Sequence, residues 1–383
     1  EIETPVMEDS ARLHSGLGGD NEKLAFAVMK RGLGPDDLAA AAASGDTLSL
    51  ADLGLRFDLT VPLARFYATH RAALPGVFRS IQIAPVWRAE RPQKGRYRQF
   101  MQCDIDIIGE AGQLAEIELI GATAGTLEAL GLTGCSIRIN DRRILSALLA
   151  HWGVAETLFE RALITIDKLD KIGAGGVATE LAGLGIADTL DGIADTLDGI
   201  ANAGWELLHG VTPPPAWLDQ QAYTELLALR AALPGVELVF DPTLVRGMGY
   251  YTGTIFEIAH PDLGYSLGGG GRYDGMIGRF LGNDVPACGF SIGFERIVDL
   301  LPEDAASTAD AVVIVHEKDA APAELMALKR QLVASGTRVR LEKRSKNLKA
   351  LLERAEADGF TRFALLGQGV TDAGALEFKA LGG

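Results

Sequence analysis

The segment from Arg79 to Gly109 constrains the fold more than any other. It reads RSIQIAPVWRAE, then the polar stretch RPQKGRY, then RQFMQCDIDIIG. Two extended runs joined by a polar turn predict a long antiparallel hairpin. Along the second run Phe100, Gln102, Asp104 and Asp106 share one face, opposite Met101, Cys103, Ile105 and Ile107. A face that carries an amide and two carboxylates ordinarily turns to solvent. Any other use requires further residues to converge on it.

The flanking sequence gives the hairpin a setting. Residues 110–131 have helical spacing, and SIRIND at 136–141 reads as a strand. From Arg142 onward the texture becomes rich in alanine, leucine and glycine, again with helical spacing. Residues 142–234 hold six basic against twelve acidic side chains, a poor composition for a primary phosphate grip. Within them IADTLDG at 186–192 is repeated at once as 193–199, which reads as a local duplication in a tolerant helical insert. VTPPPAW at 211–217 marks a loop or boundary. Beyond it VELVFDPTLV, GTIFEIAHP and ACGFSIG return to short strands between glycine-rich turns, and FERIVDLL starts a helix. The expectation is an α+β chain whose antiparallel domain, residues 1–301, is interrupted by a helical insertion at about 142–235. A linker at 302–309 follows. Residues 310–383 then alternate DAVVIVHE, TRVRLEK and FTRFALLG with helices at Pro322–Ser335 and Lys346–Asp358, the pattern of a small α/β domain with a parallel sheet.

Composition excludes several classes. At 383 residues the chain is long enough for two or three domains with cores of their own. Its 36 basic and 51 acidic residues give a net charge of −15, which argues against coating nucleic acid non-specifically but leaves room for a local basic track. Mean hydropathy is +0.14, and no unbroken apolar run approaches a membrane span. Cys103, Cys135 and Cys288 are far apart and form no C-x-x-C pair, so neither a disulfide framework nor a cysteine zinc site is supported, and a cytoplasmic setting is expected. The opening EIETPVMEDSARLHSG has no basic stretch leading into an apolar one, hence no visible secretory signal, and it reads like the middle of a domain. The six histidines form no H-x-x-x-H pair, and no metal site is expected.

Four clusters could carry chemistry. Around the hairpin tip Arg88, Arg91, Lys94, Arg96 and Arg98 face a single nearby acid, Glu90. Guanidinium forks suit phosphate because they offer paired donors and stay charged; the alternative is a solvated turn. Arg88 and Arg98 are expected within the strands. In LVRGMGYYTGTIFE, Arg246 stands close to Tyr250 and Tyr251 inside a glycine-rich turn, either a pocket wall or a core pair with an arginine passing it. YSLGGGGRYDG is neither a Walker A loop nor a Rossmann fingerprint; its four glycines would clear space on a sheet surface. In GFSIGFERIVDLL, Arg296 opens a helix, an end that disfavours cations, so it needs an anion, either Glu295 or a ligand phosphate. KRSKN at 343–347 faintly resembles a KMSKS loop but has no H-x-G-H companion.

Together these clusters resemble the histidyl-tRNA synthetase family of class II aminoacyl-tRNA synthetases. RAERPQKGRYRQFMQCDIDIIG is similar to the family's motif 2, LVRGMGYYTGTIFE and SLGGGGRYDG to its two histidine-specific motifs, and ACGFSIGFERIVDLL to motif 3, while Glu3-Thr4-Pro5 matches the end of motif 1. LRFDLTVPLARF and ITIDKLDKIG also look like this family. Gly249 departs from it, standing where many members have an acidic residue.

The resemblance implies a class II antiparallel-sheet catalytic domain followed by an anticodon-binding domain. It implies activation of L-histidine with ATP, assisted by Mg2+, transfer to tRNA(His), and a homodimer with no membrane association. Asp58, Thr60, Gln102, Asp106, Tyr250 and Tyr251 would hold histidine together with Arg88 and Arg246. Arg88, Glu90, Arg96 and Arg296 would bind ATP, with Arg88 and Arg246 catalytic. Arg91, Lys94, Lys343, Arg344 and Lys346 would meet tRNA, among a C-terminal set that also includes Arg338, Arg340 and Lys349. The principal rival is a catalytically silent paralogue that regulates ATP phosphoribosyltransferase. That protein usually lacks an intact motif 2 and the anticodon domain, and both are present here.

Overall fold

A computed structural model describes residues 1–14, 24–91, 95–185, 190–201, 204–205, 215–246, 249–301, 310–367 and 369–382. Lys94 and part of the IADTLDG repeat therefore lie outside the described residues. The chain divides into two compact units, Glu1–Leu300 and Leu301–Gly383.

The first unit begins with a small antiparallel sheet of β1 (Met7–Asp9), β2 (Ala27–Met29) and β3 (Ala51–Leu55), in the order β1-β3-β2. Its N-terminal segment is tied down by Arg56, 1% exposed, whose guanidinium donates to the carbonyls of Thr4 at 2.6 Å and Pro85 at 3.0 Å. The main sheet has seven strands: β4 (Phe78–Trp87), β5 (Gln99–Ile108), β6 (Ser136–Asp141), β7 (Leu238–Phe240), β8 (Thr254–Ala259), β9 (Gly268–Arg272) and β10 (Ala287–Gly293). Their order is β4-β5-β10-β9-β8-β6-β7, antiparallel throughout except for the β6–β7 pair. The antiparallel core and the 79–109 hairpin agree with expectation. Of VELVFDPTLV only Leu238–Phe240 is strand.

The hairpin is, however, inside out relative to the ordinary rule. In β4 and β5 the buried side chains include Ser80, Gln82, Gln102, Asp104 and Asp106, whereas Ile81 and Ile83 are 48% and 53% exposed. The polar face of β5 looks inward over a cavity, while on the opposite face Ile81 and Ile83 are exposed, Met101, Cys103 and Ile105 are half-buried and Ile107 is buried.

Between β6 and β7 run the helices Arg142–His151, Phe159–Ile166, Leu169–Gly183, Leu190–Ala201 and Gln220–Ala232. The first and last start where a carboxylate meets free backbone donors: Asp141 accepts from Arg143 N and Asp219 from Ala222 N. Their leucines and alanines face inward, as Leu145, Leu148, Ala222 and Leu226 are fully buried. No helix among the described residues is long and apolar enough to cross a membrane.

The second unit carries β11 (Ala311–His316), β12 (Arg338–Lys343), β13 (Arg362–Leu365) and β14 (Lys379–Ala380), in the order β12-β11-β13-β14. β12 and β13 run parallel to β11, and β14 adds an antiparallel edge. Both faces of β11 are buried, Val313 and Val315 in one core and Val312 and Ile314 in the other, as in a parallel sheet covered on two sides.

Candidate active site

The polar floor of the pocket follows from strand register. In antiparallel pairing Asp106 stands opposite Gly289, Asp104 opposite Ser291 and Gln102 opposite Gly293, so three polar side chains project from one face beside small residues on β10. Gly289 is required there: a Cβ on it would lie 2.1 Å from Asp106 Oδ1. Tyr273 donates its hydroxyl to that same oxygen at 2.7 Å, and Gln102 Nε2 donates to Ser291 Oγ at 2.9 Å. Asp58, after β3, has one carboxylate oxygen accepting from Val61 N at 3.1 Å.

The remaining acceptors point into a cavity of about 230 Å³. Among the described residues no hydrogen bond reaches Asp58 Oδ2, Gln102 Oε1, Asp104 Oδ1 or Asp106 Oδ2, all buried. Unpartnered buried acceptors are costly in water-poor surroundings, so four of them around one cavity ask for a ligand rich in N–H donors. Burial pushes the Asp58 carboxyl up to about 6 and the Asp106 carboxyl up to about 7. Asp104 is raised as well, by burial and then by Asp106 beside it.

The wall facing these carboxylates is aromatic and cationic. Tyr250 and Tyr251 are 6% and 9% exposed, with ring centroids 4.8 Å apart, and burial holds both phenols above their ordinary value, so they remain neutral donors. Arg246 donates from Nη1 to Glu257 Oε2 at 2.7 Å and leaves its buried Nε without a partner. Burial works against its charge, but Tyr251 and Glu257 outweigh that effect. The glycine strand β9 makes room for this wall. A Cβ on Gly269 would lie 2.7 Å from Arg246 Cζ, and one on Gly271 would lie 2.9 Å from Tyr251 Cδ1. The space the glycines clear is thus occupied first by the protein's own arginine and tyrosine.

At the other end lie Arg88, Glu90, Arg96 and Arg296. Arg88 follows β4 by one residue, donates from Nε to Phe57 O at 3.1 Å and stacks over the Phe100 ring at 5.0 Å. Arg96 pairs loosely with Glu90, at 3.7 Å. Arg296 donates from Nε to Gly95 O at 3.0 Å and from Nη1 to Ser266 O at 2.6 Å. Burial, then Arg88, Arg246 and Arg96, lowers its proton affinity, as expected of a cation among cations.

Several expectations need correction. Glu295 is not the partner of Arg296, because its carboxylate accepts from Met101 N at 2.9 and 3.1 Å and so anchors the edge of β5. Arg88 and Arg98 lie just beyond the strands rather than within them, since Arg88 N donates to Arg98 O across the mouth of the turn. Arg98 and Arg91 are exposed and lie outside the pocket lining. Asp58, Thr60, Arg88, Glu90, Arg96, Gln102, Asp106, Arg246, Tyr250, Tyr251 and Arg296 all line one cavity. Lys343, Arg344 and Lys346 belong to the second unit, where all three are exposed and Arg344 pairs with Glu317 at 2.6 Å. Sequence reasoning missed Tyr273, Ser291 and Glu257, which orient these side chains. Only the strand register that aligns β5, β10, β9 and β8 reveals them.

The family described as histidyl-tRNA synthetase matches residues 2–297. The chain belongs to the histidyl-tRNA synthetase family. It is 63% identical over 391 residues to a histidine–tRNA ligase of Leifsonia xyli subsp. xyli, covering 100% of this chain and 90% of that one. A probable histidine–tRNA ligase of Tropheryma whipplei is 42% identical over 378 residues, covering 95% and 87%. Among solved structures, histidyl-tRNA synthetase from Nostoc sp. PCC 7120 superposes with a TM-score of 0.73 at 26% identity, over 99% of this chain and 86% of that one. An ATP phosphoribosyltransferase regulatory subunit/histidyl-tRNA synthetase from Bacillus halodurans gives 0.71 at 23% identity over 92% and 86%, a likeness of fold alone. The full-length identity to ligases favours the histidyl-tRNA synthetase reading over the regulatory one.

Proposed function

We propose that the cavity activates L-histidine with ATP, forming histidyl-adenylate and pyrophosphate, and that the chain then transfers histidine to the terminal ribose of tRNA(His). The observation that carries this is the division of one cavity into a carboxylate end and an arginine end. Asp58, Thr60 and Gln102 receive the α-ammonium group, while Asp106, held by Tyr273, accepts from the imidazole N–H. Tyr250 and Tyr251 close over the ring. An apolar amino acid of similar shape is rejected because it would leave those carboxylates unpaired.

The chemistry needs no protein nucleophile. The substrate carboxylate attacks the α-phosphorus, and catalysis is positioning plus stabilisation of charge that develops on phosphate oxygens. Arg88 brings the carboxylate and α-phosphate together, Arg246 meets the developing charge from the opposite wall, and Arg296 and Arg96 hold the remainder of ATP. Magnesium, where bound, would supply positive charge that offsets that of the phosphates. Glu90, whose carboxylate meets Arg96 at 3.7 Å and no other cation among the described residues, would help hold it. The second unit serves as an anticodon-binding domain, with Lys343, Arg344 and Lys346 meeting tRNA phosphates, and the protein works as a cytoplasmic homodimer. Histidine-dependent ATP–pyrophosphate exchange without tRNA tests the reading. Exchange with histidine and no other amino acid is expected. A folded protein that binds histidine but exchanges nothing would put the regulatory paralogue first.

A further inference from the structure

Arg296, like Arg88, has no carboxylate partner among the described residues. Two backbone carbonyls, from Gly95 and Ser266, take Nε and Nη1, and among the described residues no hydrogen bond reaches Nη2. Its neighbours Arg88, Arg96 and Arg246 are cations that repel it. What lies under it is a ring: the guanidinium carbon sits 5.4 Å from the centroid of Tyr265. The same ring packs flat beneath the hairpin turn. At Gly95, where φ is 73°, a Cβ would lie 3.0 Å from Tyr265 Cζ and 3.1 Å from both Cε atoms. The Tyr265 hydroxyl makes no hydrogen bond among the described residues, so its contribution lies in the face of the ring.

We propose that Tyr265 is a positioning residue for ATP, fixing the plane of Arg296 and the height of the Gly95 turn through one shared ring. The physical case has three parts. An aromatic face attracts a guanidinium without neutralising it, whereas a carboxylate would form an ion pair and compete with phosphate. The two carbonyl acceptors hold Nε and Nη1, the ring sets the tilt, and Nη2 is left for an anion. The turn that carries Arg96 is seated on the same ring, so displacing Tyr265 disturbs two ATP contacts at once. Among the described residues no hydrogen bond or ring contact joins Tyr265 to Asp58, Asp106, Tyr250 or Tyr251. Its influence is therefore confined to the nucleotide.

The proposal rests on the activation reading above, and the test separates the two. Histidine-dependent ATP–pyrophosphate exchange is measured on the full chain as wild type, Tyr265→Ala and Tyr265→Phe, together with the melting temperature of each. Tyr265→Ala is expected to raise KM for ATP about tenfold, with KM for histidine within twofold of wild type. Tyr265→Phe, which keeps the ring face, is expected to restore KM for ATP to within about twofold. An unchanged KM for ATP in the alanine variant overturns the role. So does a phenylalanine variant as impaired as alanine, or a parallel rise in both KM values with a fallen melting temperature, which marks a merely structural residue. If the wild type itself exchanges nothing, the activation reading fails and the Tyr265 assignment falls with it.

Discussion

Asp58 and Asp106, with carboxyls raised to about 6 and about 7 by burial, make opposite demands on the empty and the filled pocket. In the empty protein the raised values mean that the folded chain binds protons which the unfolded chain, with ordinary aspartates near 3.8, has released. The stability contributed by these protonated groups is present at low pH and is lost as pH rises through about 6 to 7. Substrate binding needs them ionised. KM for histidine should therefore rise about tenfold from pH 8 to pH 6, while Asp106→Asn should flatten the pH dependence of the ligand-free melting temperature over the same range. A histidine KM indifferent to pH would contradict both assignments. Arg246→Ala should lower exchange by about a thousandfold or more while leaving the fold intact, because its partner Glu257 is already shared with Arg138 at 3.5 Å. Circular dichroism and exchange kinetics on that variant check the two halves separately. Tyr251→Phe should weaken discrimination against amino acids isosteric with histidine, measured as a ratio of kcat/KM values.

Among the elements, β9 shows how glycine acts by leaving room. Gly271→Ala would set a methyl 2.6 Å from Thr254 O and 2.9 Å from the Tyr251 ring. Overpacking of this kind costs about 1–3 kcal/mol, so a lowered melting temperature together with a raised histidine KM is expected, and wild-type values of both would exclude the packing argument. The hairpin teaches the complementary lesson about sequence. Its extent and its turn were legible, because period-two alternation marks a strand with two unlike faces. Which face lies inside was not. Alternation records only that the faces differ, and the usual polar-out rule fails where β10 and β9 bring Ser291, Gly289 and Tyr273 over the carboxylates from more than 150 residues away. The partners of Arg296 were illegible for the same reason. Its sequence neighbour Glu295 was the natural candidate, yet that side chain turns to Met101 N, and the arginine donates instead to carbonyls from two other segments.

At the scale of the whole molecule the charge is unevenly shared. Residues 310–383 hold twelve basic and ten acidic side chains on a chain of net charge −15. Several of the arginines in this unit are already engaged, Arg338 and Arg340 over Phe360 and Arg362 over Phe378, whereas Lys343 and Lys346 are exposed and have no ion pair among the described residues. Lys343→Glu with Lys346→Glu should lower kcat/KM for tRNA about tenfold and make aminoacylation less sensitive to salt, with pyrophosphate exchange unaffected. Loss of exchange in that double variant would show that the second unit also shapes the catalytic pocket.

The helical insert leaves the sheet at the end of β6 and rejoins it in β7, two strands that lie side by side and point the same way, Ile137 beside Leu238 and Ile139 beside Phe240. Parallel neighbours cannot be joined by a tight turn; the chain must travel back along the sheet before it starts again. The insert is therefore a bridge as well as an appendage. Shortened versions of this protein remain threadable only if a span of helix survives, and one cut to a hairpin loop would reverse β7 and carry Asp241 away from Arg138, unfastening the neighbour of Glu257 and, through it, the arginine at the centre of the pocket.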